Sequence, residues 1–420
     1  MEWNRFLLKV SYSDGYILYN IENDGIISVN KEKFDSNSFD QDEMSAFLEN
    51  EFLVNPNTQS DLVIKERLLA DWDKSKTLSL VITVTTDCNF KCSYCYEKGI
   101  THHSFSHENT LMLCDSLTKY IKENEIVKCN LEITGGEPLL SSSRVEMMLS
   151  SLSNLFKSLN ISFNLNIVTN GYNLKPDIVD RLLPYNLSWI QITLDGTETI
   201  HNKRRPLKNN HGTFDTIIKN LDYIIFQNKL DNITIRINVD AENRLCVPDL
   251  LYYLNERYPP ERIHLSIGKV SPTVKREGND NTYNQYLTDI EFAEEYIKLY
   301  KLAKELGFTI NEFYFDTGFC LSKLKHGFIV EPNGVVSQCF SGVGRDIFAL
   351  GNITNLPQKK LDLERYDFCL SKGCPFLPKC HTGCYFESLV KEGDKELVSC
   401  HRDILEMINS DIIRYLFQNC

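Results

Sequence analysis

The chain has 420 residues, 42% hydrophobic and 24% charged, with a formal net charge of −12. That length and apolar fraction support two or three domains with proper cores, and the acidic balance argues against nucleic acid as a main partner while suiting a basic peptide. The start, Met1-Glu2-Trp3-Asn4-Arg5, lacks a basic segment before an apolar one, and no run of about 18 or more apolar residues follows, so neither a signal peptide nor a membrane span is predicted and a cytoplasmic location is expected.

Residues 5–12 and 15–21 flank Asp14-Gly15 and read as a hairpin. A strand at 25–29 and helices at 41–49 and about 60–73 complete a strands-then-helices unit over 1–75. From 79 the pattern changes. Strand-like runs at 79–86, 130–134, 163–169, 188–194, 232–239 and 262–268 alternate with helical segments at 107–123, 143–158, 176–183, 213–228 and 247–256. Alternation of this kind means βα units on a parallel sheet. Six such strands over 79–270 suit an open, partial (β/α)6 barrel, with chemistry at the C-terminal ends of the strands. A connector, 271–319, holds a polar loop, a helix at about 289–306 and a strand at 308–315. Residues 320–405 are Gly-, Pro- and Cys-rich, as in a domain held by metal, and a helix closes the chain at 406–420, beginning near 403.

The fourteen cysteines are not scattered. Three lie in 88–95 and seven in 320–400; Cys114, Cys129, Cys246 and Cys420 stand apart and read as small buried hydrophobes. In a reducing compartment clustered cysteines bind metal or do catalysis. Cys88-x3-Cys92-x2-Cys95 directly follows the strand LVITVTT. Three thiolates on one short loop suit three irons of a cubane cluster and leave the fourth iron for a small molecule. With about one Cys per 30 residues, such a triplet arises after a given Cys by chance roughly once in 900, and three ligands at this spacing do not match a zinc finger.

This triplet, with Tyr94 in its aromatic position, resembles the signature of the radical S-adenosylmethionine (SAM) superfamily. Gly135-Gly136-Glu137-Pro138, after the second barrel strand, resembles the family's GGEP segment. By that match Tyr94 lies near the SAM adenine, while Gly135, Gly136 and Glu137 hold the SAM amino group. The glycines would let the backbone approach and the Glu would balance an ammonium. Gln191–Gly196 and His201-Asn-Lys-Arg-Arg205 resemble a further segment of peptide-modifying members, with Thr193 for the usual Ser and Asn202 for the usual Asp. The match implies that Thr193 and Arg205 hold the SAM carboxylate. Arg204 is the competing cation, and Thr169-Asn170-Gly171 is expected to be a turn lining the same site.

The spacings Cys320-x13-Gly334-x4-Cys339 and Cys374-x5-Cys380-x3-Cys384, with distal Cys400, resemble the SPASM domain of radical SAM peptide maturases. Cys369-x4-Cys374 departs from the family's x2. The resemblance implies auxiliary cluster I on Cys320, Cys339 and Cys384, and auxiliary cluster II on Cys369, Cys374, Cys380 and Cys400; a pair of zinc sites is the competing assignment. Three [4Fe–4S] clusters and SAM are therefore the expected cofactors, with a flavodoxin or ferredoxin as electron donor. Residues 1–75 resemble the RiPP recognition element, a winged-helix-like α+β module that binds precursor leaders.

The implied activity is maturation of a ribosomally synthesised peptide: a 5′-deoxyadenosyl radical abstracts a C–H hydrogen and the carbon radical forms a new bond. Auxiliary cluster I is one ligand short, since Tyr314 stands where fully ligated relatives have a Cys. A substrate Cys at the open iron would make the product a thioether cross-link. Cys246, Cys420, Glu312 and Asp316 are competing fourth ligands. Carbon–carbon cyclophane formation and sulfatase-maturase-like formylglycine formation are alternative reactions, and a non-catalytic peptide-binding or metal-storage protein is the alternative of another class.

Overall fold

The computed structural model describes residues 1–274, 283–312, 314 and 320–418. Asp316 and Cys420, two of the competing ligands, lie outside these residues, as do parts of the expected polar loop in the connector and of the expected 308–315 strand.

The N-terminal unit opens with β1 (Glu2–Trp3), followed by an antiparallel meander of β2 (Leu7–Tyr12), β3 (Gly15–Asn20) and β4 (Ile26–Asn30); β5 (Leu53–Val54) returns to pair with β1. Gly15 lets β3 lie close to β4, since a Cβ there would meet Val29 O at 2.4 Å. Helices Gln41–Glu49 and Asp61–Lys74 form where expected, started by a capping box on Asp40 and by the Ser60 hydroxyl. A short helix, Lys31–Ser36, capped by Asn30, was not anticipated. The sheet is used on both faces. Leu18 and Val29 pack with Phe47, Phe52 and Leu53, whereas Leu8, Val10, Ile17 and Tyr19 join the main core of the protein. The unit is thus sealed onto the rest: Arg5 donates to Leu370 O at 3.0 Å, and Tyr12 packs edge-on against Phe417.

The six expected strands form as β6 (Thr77–Thr85), β7 (Lys128–Gly135), β8 (Ser162–Thr169), β9 (Leu187–Thr193), β10 (Ile233–Val239) and β11 (Ile263–Lys269), parallel and adjacent in chain order. The sheet does not stop there. β12 (Thr309–Ile310) extends it beyond β11; β13 (Gly327–Val330) pairs parallel with β6, followed by antiparallel β14 (Val335–Ser337) and β15 (Ala349–Asn352). Among the described residues the expected boundary at 320 therefore falls inside a continuous open sheet of ten strands. Leu80, Ile82, Leu131, Ile133, Leu165, Ile167, Ile190, Ile192, Ile235 and Ile237 face one core, under helices that include His107–Glu123, Ser142–Ser158 and Phe214–Phe226. Period-two alternation puts Glu132, Asn166, Gln191, Arg236 and Ser266 on the opposite, inner face, which is polar. Helix Glu198–Arg204 was not anticipated. Of the isolated cysteines, Cys129 is fully buried as expected, whereas Cys114 and Cys246 are only half-buried. Among the described residues no helix is long and apolar enough to cross a membrane.

Candidate functional site

β6 ends at Thr85, and the loop after it carries Cys88, Cys92 and Cys95 at the C-terminal end of the sheet. The Phe90 N–H donates to Cys88 Sγ at 3.4 Å, and Asn170 Nδ2 approaches the same sulfur at 3.9 Å while bonding Asn89 Oδ1 at 2.8 Å. Such N–H···S contacts favour a thiolate and tune an Fe–S site. Burial pushes the Cys88 thiol up to about 12, with the Arg205 charge pulling the other way. Cys92 is likewise raised by burial and drawn down by Arg205. The donor set fits a cluster: three close thiols, N–H donors to sulfur and a neighbouring cation. Among the described residues no three His, Cys, Asp or Glu groups are placed to share a single metal ion; a cubane gives each thiolate its own iron and spreads its ligands more widely.

The Gly135-Gly136-Glu137 segment packs on that loop. Gly136 N donates to Thr85 O and Glu137 N to Asp87 O, each at 2.9 Å. A Cβ at Gly135 would meet Thr85 O at 2.3 Å, and one at Gly136 would meet Asp87 O at 2.3 Å. The glycines thus let two backbones touch, a requirement that the sequence reading had assigned to a ligand. Glu137 is fully buried. Its carboxylate accepts from Thr169 Oγ1 at 2.8 and 2.9 Å, from Asn170 N at 2.7 Å and from Leu139 N at 3.0 Å. It therefore pins the Thr169-Asn170-Gly171 turn to the glycine segment before it faces any ammonium.

Tyr94 sits at the centre of the polar network. Its hydroxyl donates to Asp195 Oδ2 and accepts from Arg205 Nη1 at 2.6 Å and Asn238 Nδ2 at 3.2 Å. Arg205 is buried in this group, and Thr193, at the end of β9, is buried too. Arg204 bonds Asp240 and Glu242, and it also lies over the Tyr94 ring at 5.0 Å with its Nε 3.7 Å from Asp195 Oδ2. Asn202 has its own use: its Oδ1 accepts from Thr213 N at 2.7 Å and Phe214 N at 2.9 Å, so it caps helix Phe214–Phe226. An Asp would accept the same two bonds, so Asn202 keeps this capping contact. Asp195, Asn238 and Asp240 were missed by sequence reasoning; Asp195 and Asp240 follow the ends of β9 and β10, and Asn238 is the penultimate residue of β10.

Downstream, the cysteines separate into two groups by their mutual electrostatic influence. Cys339 responds to Cys384 and Cys320, and Cys384 to Cys320. Cys369 responds to Cys374, Cys380 and Cys400. The extended Cys369-x4-Cys374 spacing is absorbed by a turn: Gly373 takes φ 55°, and Cys374 N donates to Cys369 O at 3.2 Å. Ile100, in the loop after β6, shares an apolar cluster with Leu321 and Phe340, the residues that follow Cys320 and Cys339. Of the competing ligands, Cys246 lies in the turn that opens helix Val247–Arg257, and Glu312 is exposed. Tyr314 packs edge-on against Tyr296 at 4.8 Å.

Residues 82–239 match the family described as the radical SAM superfamily. The chain is 29% identical over 180 residues to a GTP 3′,8-cyclase of Clostridium perfringens, covering 43% of this chain and 51% of that protein. It is 29% identical over 150 residues to a cysteine-type anaerobic sulfatase-maturating enzyme of Clostridium novyi, covering 35% and 40%. The chain thus spans about half or less of these curated relatives. Its fold resembles that of native anSMEcpe with bound AdoMet and Kp18Cys peptide, at TM-score 0.62 and 19% identity over 82% of this chain and 98% of the other. Streptococcus suis SuiB bound to S-adenosylmethionine follows, at TM-score 0.53 and 17% identity over 96% and 100%.

Proposed function

We propose that this chain, which carries a radical SAM domain over residues 82–239, matures a ribosomally synthesised peptide by forming a Cys thioether. When bound, a [4Fe–4S] cluster on Cys88, Cys92 and Cys95 and its SAM would supply the 5′-deoxyadenosyl radical that abstracts a C–H hydrogen. The residues do the positioning. Gly135, Gly136 and Glu137 shape the wall against the cysteine loop. Thr193 and Arg205 would take the SAM carboxylate, and Tyr94 the adenine side. Cys320, Cys339 and Cys384 would hold auxiliary cluster I, with room for a substrate thiolate; Cys369, Cys374, Cys380 and Cys400 would hold auxiliary cluster II. The observation that carries the reading is the packing of Ile100, from the loop after β6, with Leu321 and Phe340, the residues that follow Cys320 and Cys339, beside the β13–β6 pairing. Peptides bound to structurally similar proteins support the substrate class: SuiB with its precursor SuiA, and anSMEcpe with a Cys peptide. Formylglycine formation is the second reading, favoured by the match to the sulfatase-maturating enzyme.

Mass spectrometry after thiol alkylation tests the reaction. The reduced, reconstituted protein should release 5′-deoxyadenosine, and Cys88→Ala/Cys92→Ala/Cys95→Ala should not. The thioether product is two hydrogens lighter than the precursor and has one alkylatable Cys fewer. A two-hydrogen loss with every Cys still alkylatable rules the thioether out and leaves carbon–carbon cyclisation.

A further inference from the structure

The segment Cys380-His381-Thr382-Gly383-Cys384 joins the second thiol group to the first. Its three middle residues all have positive φ: 49° at His381, 74° at Thr382 and 75° at Gly383. A β-branched residue is strained at such an angle and persists only when its surroundings hold it. Two cations do so. Lys323 Nζ donates to Thr382 Oγ1 at 2.8 Å, and Arg365 Nη2 donates to Thr382 O at 2.8 Å. Both lie over the Tyr385 ring, at 4.0 and 4.2 Å from its centroid.

These cations lack a counter-charge of the ordinary kind. Arg365 is 2% exposed, and its remaining bonds go to the carbonyls of Lys395, Glu396 and Leu397 and to Ser388 Oγ. Among the described residues neither Lys323 nor Arg365 is ion-paired with a carboxylate. Asp362 bears on Lys323 from beyond ion-pair distance, with its Oδ2 taken by the Tyr385 hydroxyl at 2.8 Å. The other anionic groups acting on Lys323 are Cys320 and Cys380, one from each thiol group. A buried cation without compensation is costly. Thiolate-ligated clusters on either side would compensate both.

We propose that Lys323 and Arg365 are the counter-cations of the two auxiliary clusters, raising both reduction potentials while holding the bridge that supplies one ligand to each. This rests on reading the two cysteine groups as cluster sites. A cluster gains negative charge on reduction, and a fixed cation in low dielectric stabilises the reduced form more. Both are positioning residues, since they touch the bridge and not a substrate.

Redox titration of the full-length, anaerobically reconstituted protein, followed by electron paramagnetic resonance, tests this. In Lys323→Met the auxiliary signals should titrate at more negative potential, with iron and sulfide unchanged and 5′-deoxyadenosine still formed. Lys323→Arg should stay at the wild-type potential, and so should Lys325→Met, which removes a nearby cation already paired with Asp73. If Lys323→Met loses iron, Lys323→Gln, which can still bond Thr382, carries the same comparison. Unshifted potentials at full iron load overturn the proposal alone, as does an equal shift in Lys323→Met and Lys323→Arg. A wild-type protein with about four irons per chain instead of about twelve overturns both it and the cluster reading.

Discussion

Arg204 and Asp240 form a bidentate ion pair, Nη1 to Oδ1 at 2.8 Å and Nη2 to Oδ2 at 2.7 Å, with both side chains wholly buried. Asp240 also accepts from Glu242 N at 2.9 Å, so the pair ties helix Glu198–Arg204 to the loop after β10. The next residue, Arg205, points toward Cys92 and bonds the Tyr94 hydroxyl. The helix ends between them. Both arginines thus meet at Tyr94: Arg204 lies over its ring and pairs with Asp240, Glu242 and Asp195, while Arg205 takes its hydroxyl.

Arg204→Met should therefore destabilise the protein, by about 3–5 kcal/mol, because it strands the Asp240 carboxylate in the interior. Arg205→Met should keep the fold and weaken SAM binding about tenfold or more, through loss of a charge-assisted contact. Denaturant unfolding and SAM calorimetry on both variants check the division. Equal stability loss with unchanged SAM affinity in Arg205→Met would remove Arg205 from the SAM site.

The N-terminal unit bears on how a leader would dock. β4 is an edge strand of the β2–β3–β4 sheet. Asn20 N donates to Gly25 O, and Lys31 N to Asp14 O. The two-residue period of an antiparallel pair then turns the N–H groups of Ile26 and Ser28 outward. If a leader adds a strand here, Ser28→Pro deletes a donor to it without breaking the β3 ladder. Precursor affinity should fall about fivefold, the equivalent of one main-chain hydrogen bond of about 1 kcal/mol, with 5′-deoxyadenosine formation from SAM alone unchanged. Deleting residues 1–75 is a poor test, since it uncovers Leu8, Val10, Ile17 and Tyr19 of the main core. Unaltered precursor affinity in Ser28→Pro would exclude leader pairing at this edge.

Glu132, on the inner face of β7, has its carboxyl pushed up from 4.5 to about 7 by burial. The folded state thus binds this proton more tightly than the unfolded chain does. Its contribution to stability is full below about 4.5 and is lost as pH rises through about 7. Glu132→Gln, which mimics the protonated acid, should match wild type near pH 4 and exceed it at pH 8 by up to about 3 kcal/mol. Unfolding curves at the two pH values read the difference. A gap independent of pH would mean that Glu132 titrates alike in the folded and the unfolded chain.

The sequence alone determined the six βα units and the cysteine spacings. Period-two and period-3.6 apolar patterns are local signals, and three thiols within eight residues must share one loop whatever the fold. What Glu137, Arg204 and the glycines at 135 and 136 touch was decided only by the tertiary structure. Their partners, Thr169, Asp240 and the Thr85–Asp87 backbone, come from other strand ends, and nothing local encodes which of two adjacent arginines faces which acid. The same holds for the continuation of the sheet through β13. Gly327–Val330 is a four-residue apolar run with no pattern of its own, and it becomes a strand because the free edge of β6 supplies the hydrogen bonds that its backbone needs.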